Sequence, residues 1–360
     1  YVSPTNADKI VVLGVNAWLS TDAGKTFKNI DGRNVHSDHH ALWINPKRDS
    51  HMINGNDGGL NITYDNGVNW FKANSPAVGQ YYAIAVDDAK PYNVYGGFQD
   101  NGTWFGPSNN RETSDWHDSG NYPFKSIGGG DGMQVQVDTR DNTTVYVGSQ
   151  FGAYSRLNRN APFAGRVSVR PQHELGDKPL RFNWQSPILL SKHNQDVFYF
   201  GSNRFHRSFN KGENSVNLSG DLTGGKKEGN VPFGTLVTMS ESPLRFGLIY
   251  TGSDDGYIHL TKDGGYSWTA IHSKLPKQVQ GLYVSRVIAS KYKESRVYVT
   301  LNGYRNDHFA AWVFVSEDYG TTWKQIFTDL PAEPVNVIRE DPKQENLLYV
   351  GTDHALYVSV

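Results

Sequence analysis

Short apolar runs closed by a glycine recur along the whole chain. The first is Val11-Val12-Leu13-Gly14. It is followed by Met52-Ile53-Asn54-Gly55, Asn93-Val94-Tyr95-Gly96, Val145-Tyr146-Val147-Gly148, Phe198-Tyr199-Phe200-Gly201, Leu248-Ile249-Tyr250-Thr251-Gly252, Val297-Tyr298-Val299-Thr300 and Leu348-Tyr349-Val350-Gly351. With Thr300 standing for the seventh glycine, the steps between closing positions are 41, 41, 52, 53, 51, 48 and 51 residues. Self-similarity at such a period is the mark of a repeat architecture. Ahead of the runs lie alternating stretches such as Ala83-Ile84-Ala85-Val86-Asp87 and Met133-Gln134-Val135-Gln136-Val137-Asp138. Alternation with period two predicts half-buried strands. Polar links such as Asn45-Pro46-Lys47-Arg48-Asp49 join the two stretches, and a tight Asp/Gly turn leads to a third strand.

Three to four antiparallel strands per unit, repeated eight times, predict an all-β chain: a β-propeller of about eight four-stranded antiparallel blades. The units span residues 1–360 and are anchored near 14, 55, 96, 148, 201, 252, 300 and 351. Solenoid coils are usually shorter and parallel, and an immunoglobulin-type array needs roughly 100 residues per module. The two end units each carry an anchor and a third strand, so they are not two halves of one blade. They imply an array incomplete at both ends, with the remainder in a longer parent chain. An eight-bladed ring with ragged ends is the alternative.

Composition narrows the class. With 35 basic and 36 acidic side chains, the net charge of −1 gives no reason to expect a nucleic-acid partner. No apolar run approaches the roughly 18 residues of a membrane span, so no membrane insertion is expected. The absence of cysteine removes any disulfide framework or thiolate metal site. It fits a secreted bacterial protein, extracellular or periplasmic.

The third strands end in a motif of their own. Ser20-Thr21-Asp22-Ala23-Gly24-Lys25-Thr26-Phe27 returns as Thr63-Tyr64-Asp65-Asn66-Gly67-Val68-Asn69-Trp70, Thr261-Lys262-Asp263-Gly264-Gly265-Tyr266-Ser267-Trp268 and Ser316-Glu317-Asp318-Tyr319-Gly320-Thr321-Thr322-Trp323. Asn210-Lys211-Gly212 reads as a decayed fifth copy. The Asp should accept main-chain N–H groups within the turn, the Gly should take a positive φ, and the aromatic should pack back into the blade. The pattern resembles the Asp box of bacterial neuraminidase repeats. That superfamily also includes xyloglucanases, the sortilin propeller and photosystem II assembly factors. The resemblance implies a structural role for Asp22, Asp65, Asp263 and Asp318.

Between the boxes, Asp38-His39-His40-Ala41-Leu42-Trp43-Ile44, Gly55-Asn56-Asp57-Gly58-Gly59, Gly97-Phe98-Gln99-Asp100-Asn101-Gly102 and Gly128-Gly129-Gly130-Asp131-Gly132-Met133 are similar to large secreted bacterial propellers with sortilin-like or glycosyl-hydrolase-like labels. The resemblance implies a binding propeller for a polypeptide or glycan. A glycoside hydrolase and an assembly-factor scaffold are the alternatives.

Candidate chemistry sits in these loops. Asp57, Asp254 and Asp353 lie two residues past an anchor glycine, Asp100 lies four past one, and Asp131 precedes a first strand. Asp-Gly is also an ordinary hairpin turn, and that reading favours Asp254, Asp255 and Asp353. Asp57, Asp100 and Asp131 are the catalytic candidates, as a general acid and base at a glycosidic bond. They would serve equally as Ca²⁺ ligands. Connections alternate between the two ends of a propeller, so these residues are expected on one face with the 36–40 segment. Ligand contact is assigned to His39, His40, Gln99, Trp104 and Trp116. In a regular strand His39 and His40 point oppositely, so at most one joins a site, and no metal set is assigned. Trp104, Phe105, Trp116, Tyr122 and Phe124 are read as a loop insertion able to stack on sugars. A sialidase is not expected, since no arginine sits in a recognisable sialidase motif.

Overall fold

The computed structural model describes residues 1–73, 79–111, 113, 115, 122–225 and 233–359. Eight antiparallel sheets follow one another along the chain, and within each the strand order is the chain order. The first and eighth have three strands and the others four. A succession of such meanders is the blade pattern of the β-propeller class. Among the described residues helix is limited to short turns, such as the 3₁₀ turns Gln150–Gly152 and His272–Lys274. The chain divides into two compact units. One comprises Tyr1–Tyr81 with Phe98–Asn101, the other Tyr82–Gly97 with Gly102–Val360.

The anchor runs of the second to eighth sheets form second strands, flanked on both sides. Phe198–Gly201 and Val297–Gly303 are buried at every position. Their tyrosines are the largest fully buried side chains, among them Tyr95, Tyr146, Tyr199 and Tyr250. The hydroxyls of Tyr146 and Tyr250 are buried without a hydrogen-bond partner among the described residues, whereas a buried phenol ordinarily finds one. Tyr95 donates to Asp87 at 3.0 Å and Tyr199 to Glu241 at 2.7 Å, both acids at the close of a first strand. Burial holds both phenols above their ordinary range. Apolar faces of successive sheets then meet. Leu248, Tyr250, Ile258 and Ile271 of the sixth sheet pack on Val284, Val297, Val299 and Leu301 of the seventh.

The Ser/Thr-x-Asp-x-Gly turns share one geometry. The Ser or Thr closing the third strand accepts the glycine N–H, and the Asp accepts from the residue four on, through both its N–H and its side chain. In the second sheet Gly67 N donates to Thr63 Oγ1 at 2.9 Å. There Asn69 N and Nδ2 donate to Asp65 at 2.9 and 2.8 Å. Asp22, Asp263 and Asp318 repeat this with Thr26, Ser267 and Thr322. Sequence reasoning placed only the Gly at positive φ. In fact the residue before it is left-handed too: Ala23, Asn66, Lys211, Gly264 and Tyr319 have φ of 59, 61, 61, 76 and 60°. Two of the three box tryptophans reach the residue after the last strand of the preceding sheet, while Trp323 Nε1 is buried without a hydrogen-bond partner among the described residues. Trp70 donates to the Ile30 carbonyl at 2.7 Å and Trp268 to that of Leu218 at 3.0 Å. Phe27, which has no indole N–H, stays exposed.

A second feature recurs without any motif. In the second, sixth, seventh and eighth sheets, the pairing of first and second strands slips by one residue opposite the anchor position. His40, Val237, Ser285 and Asn336 are the extra residues. A bulge of this kind re-aims the side chain it carries.

Candidate functional site

In the first unit the 36–40 segment leads into the second sheet. It is pinned from below by the first sheet's turn, where Asp38 N donates to the Val15 carbonyl and His39 N to that of Gly14, at 3.0 and 2.9 Å. Beside it runs the second sheet's own 56–59 turn, with Asp57 N donating to the Asp38 carbonyl at 3.3 Å. The 99–101 turn closes the group. His36 Nε2 lies 2.9 Å from the Asp100 carbonyl, and Asn101 Nδ2 donates to the Asp57 carbonyl at 3.2 Å. Asp57, Asp100 and the histidine segment thus come together, as their topology predicts.

The contributions differ from those expected. His39 (from its regular strand position) turns inward, fully buried, with Nδ1 2.9 Å from Asn54 Oδ1 and Nε2 3.0 Å from Asp31 Oδ1. Both ring nitrogens are engaged, so His39 positions the strand and is closed to a ligand. His40, on the bulge, turns outward with 68% of its side chain exposed, and Nε2 lies 2.6 Å from Asp57 Oδ1. Asp100 adopts φ 60° and meets His36 through its main-chain carbonyl. Gln99 likewise serves through main-chain atoms, its N–H donating to Gln80 and its carbonyl accepting from Asn101. Gly58 is required here, since a Cβ would strike that of His36.

Other candidates lie elsewhere. Asp131 belongs to the second unit and is buried. Trp104 and Phe105 are not in a loop. They belong to the third sheet's strand Gly102–Pro107, Trp104 half-buried and Phe105 in the core, because their alternation fits a strand continuing from the Asp100–Gly102 turn. Trp116 lies outside the described residues. Asp353 repeats the Asp57 arrangement: Asn336, on the eighth sheet's bulge, donates to it at 2.7 Å. Asp254 and Asp255 are more than turn formers. Both are buried, and Asp254 accepts from Gly234 N, Thr235 N and Thr235 Oγ1 at 3.0, 2.9 and 2.6 Å. Loss of water raises its carboxyl above the usual range. Nothing in the Asp-Gly-like spacing distinguishes this clamp from an ordinary turn. No group of three His, Asp or Glu side chains placed to hold a metal occurs among the described residues. No helix among them is long and apolar enough to cross a membrane.

The chain is similar to several solved structures. Niastella koreensis GH74 enzyme shares 12% identity over 97% of this chain and 67% of its own, with a TM-score of 0.29. The computationally designed Ika8 protein shares 11% over 98% and 92%, at 0.42. YCF48 from Cyanidioschyzon merolae shares 11% over 89% and 94%, at 0.48. No protein-family model and no curated protein matches the sequence.

Proposed function

We propose that this is an extracellular or periplasmic binding propeller that recognises a polypeptide or glycan through the His40–Asp57 face of its first unit. The observation that carries the reading is the pairing of an exposed imidazole with a half-buried carboxylate, on loops fixed by main-chain hydrogen bonds. A pre-positioned donor and acceptor at the surface suit a hydroxyl or peptide group, and fixed loops reduce the ordering cost of binding. Hydrolysis of a glycosidic bond calls for two facing carboxylates, roughly 5–5.5 or 6.5–9.5 Å apart. Asp57 supplies one here. The test is a glycan and peptide array with wild type, His40→Ala and Asp57→Asn, followed by a reducing-sugar assay on any glycan retained. Retention lost in both variants without sugar release supports recognition. Retention unchanged in both, or release of reducing sugar, overturns it.

A further inference from the structure

The 36–40 segment engages its imidazoles only with hydrogen-bond acceptors. A neutral imidazole has one N–H and one lone pair, so it serves one acceptor and one donor. Only the imidazolium donates from both nitrogens. His36 faces two main-chain carbonyls, that of Ser37 from Nδ1 and that of Asp100 from Nε2, both at 2.9 Å. A carbonyl oxygen has no proton to give. His39 is fully buried, with Nδ1 2.9 Å from Asn54 Oδ1 and Nε2 3.0 Å from Asp31 Oδ1.

For His39 the amide orientations decide, and main-chain N–H groups fix them. Gly58 N donates to Asn56 Oδ1 at 3.0 Å. The atom that Asn56 turns to Asn54 and Asn61, at 3.0 and 2.9 Å, is therefore Nδ2. It follows that the Asn54 atom shared by Asn56 Nδ2 and His39 Nδ1 is the oxygen. Turning the Asn54 amide over would set two NH2 groups against each other. In the same way Asp31 N donates to Asn29 Oδ1 at 2.9 Å, which leaves Asn29 Nδ2 to donate to Asp31 Oδ2 at 3.0 Å. Ala17 N donates to Asp31 Oδ1 at 3.0 Å, so Asp31 is an acceptor at both oxygens. All four ring nitrogens of His36 and His39 thus face acceptors. His40 needs only one N–H for Asp57 Oδ1, 2.6 Å from its Nε2.

The surrounding segments carry the opposite charge. Asp31 comes from the link after the first sheet's last strand, Asp57 from the 56–59 turn and Asp100 from the 99–101 turn. Asp38 is on the segment itself, and Arg33 is exposed just before it. Two added protons therefore reduce a local excess of negative charge.

We propose that the 36–40 segment is a proton-dependent clasp in which His36 and His39 each carry both ring protons. Loss of either second proton leaves an acceptor facing an acceptor. His36 joins the segment to the 99–101 turn and His39 joins it to the first sheet, with His40 beside them. Recognition at the His40–Asp57 face is then gained in weak acid and lost as pH rises. A proton held more tightly by the fold than by the unfolded chain gives stability that is complete at low pH and lost on the way up. His36 and His39 are positioning residues. The coupling to ligand rests on the recognition proposed for that face, whereas the proton count does not.

The test uses the full chain, isotopically labelled at histidine nitrogen. Long-range proton–nitrogen correlation spectra and melting temperature are recorded between about pH 5 and pH 8. Wild type is compared with His36→Gln and His39→Gln, whose amides donate without titrating. We expect both rings to show two N–H groups at the acid end, and the second proton to leave together with a shift of the His40 signals. The melting temperature of wild type should fall as pH rises, and that of each variant should fall less. A single N–H on either ring at about pH 5, or a pH slope unchanged in both variants, would overturn the clasp. Should a variant fail to fold, the wild-type proton count decides. Probes retained on the glycan and peptide array should bind at least tenfold more weakly at about pH 8 than at about pH 5.5. Equal retention at both would overturn the coupling. No retention at either would refute recognition at this face, and the clasp would still be decided by its protons.

Discussion

Replacing Asp254 by Ala is expected to lower stability by several kcal/mol. Its carboxylate accepts from Gly234 N, Thr235 N and Thr235 Oγ1, with Asn183 Nδ2 at 3.3 Å as a fourth contact. The first three donors are buried and lose their acceptor in the variant. Each such donor costs about 1–3 kcal/mol. Against this, the carboxyl is raised by lost hydration, so its ionised form opposes folding and Ala removes that penalty. The balance is a loss of roughly 3–5 kcal/mol. With an unfolding entropy of about 2.1 cal/mol/K per residue, 360 residues give about 0.76 kcal/mol/K, so the melting temperature should fall by about 4–7 °C. Asp254→Asn keeps one acceptor oxygen and should lose at most about a third as much. The assay is calorimetry at pH 7 with both variants. An Ala variant that melts with wild type, or below it by no more than the Asn variant, would refute the clamp and return Asp254 to the role of a turn residue.

Acid should weaken the fold through the Ser/Thr-x-Asp-x-Gly turns. Asp22 is held down to about 2, and Asp65, Asp263 and Asp318 are also lowered, by hydrogen bonds within the turns. A depressed folded pKa gives stability that is complete above the unfolded value and lost as pH falls through the folded one. Melting temperature should therefore decline between about pH 4 and pH 2, and less steeply once Asp22 is replaced by Asn; an unchanged slope would count against the turns. Gly58→Ala should displace His36 and loosen the 99–101 turn, weakening retention on the array that fits His40 and Asp57 while the far-ultraviolet dichroism stays that of wild type.

The strand repeat was legible because its carrier is local: a buried second strand must be apolar throughout and end where the backbone needs room. The last strands of the sheets were not, since Lys28–Asn29, Val216–Asn217 and Thr269–Ala270 are two residues long and exposed, and show no alternation. The grouping of Asp57, Asp100 and the histidine segment followed from topology alone. That His39 and His40 face oppositely, so that only one joins the site, was legible too; which one was not, because nothing in the sequence marks the bulge that carries His40.

The slipped pairing opposite the anchor position has a consequence for how such a chain changes. His40, Val237, Ser285 and Asn336 share one mount, yet an imidazole, an alkyl group, a hydroxyl and an amide occupy it. The ladder closes on either side of the extra residue whatever its side chain is. At His40 and Asn336, both exposed, substitution alters what a blade presents, whereas Val237 is buried and Ser285 Oγ donates to the Val335 carbonyl of the next sheet, so only half of these mounts are free of the work of holding the fold.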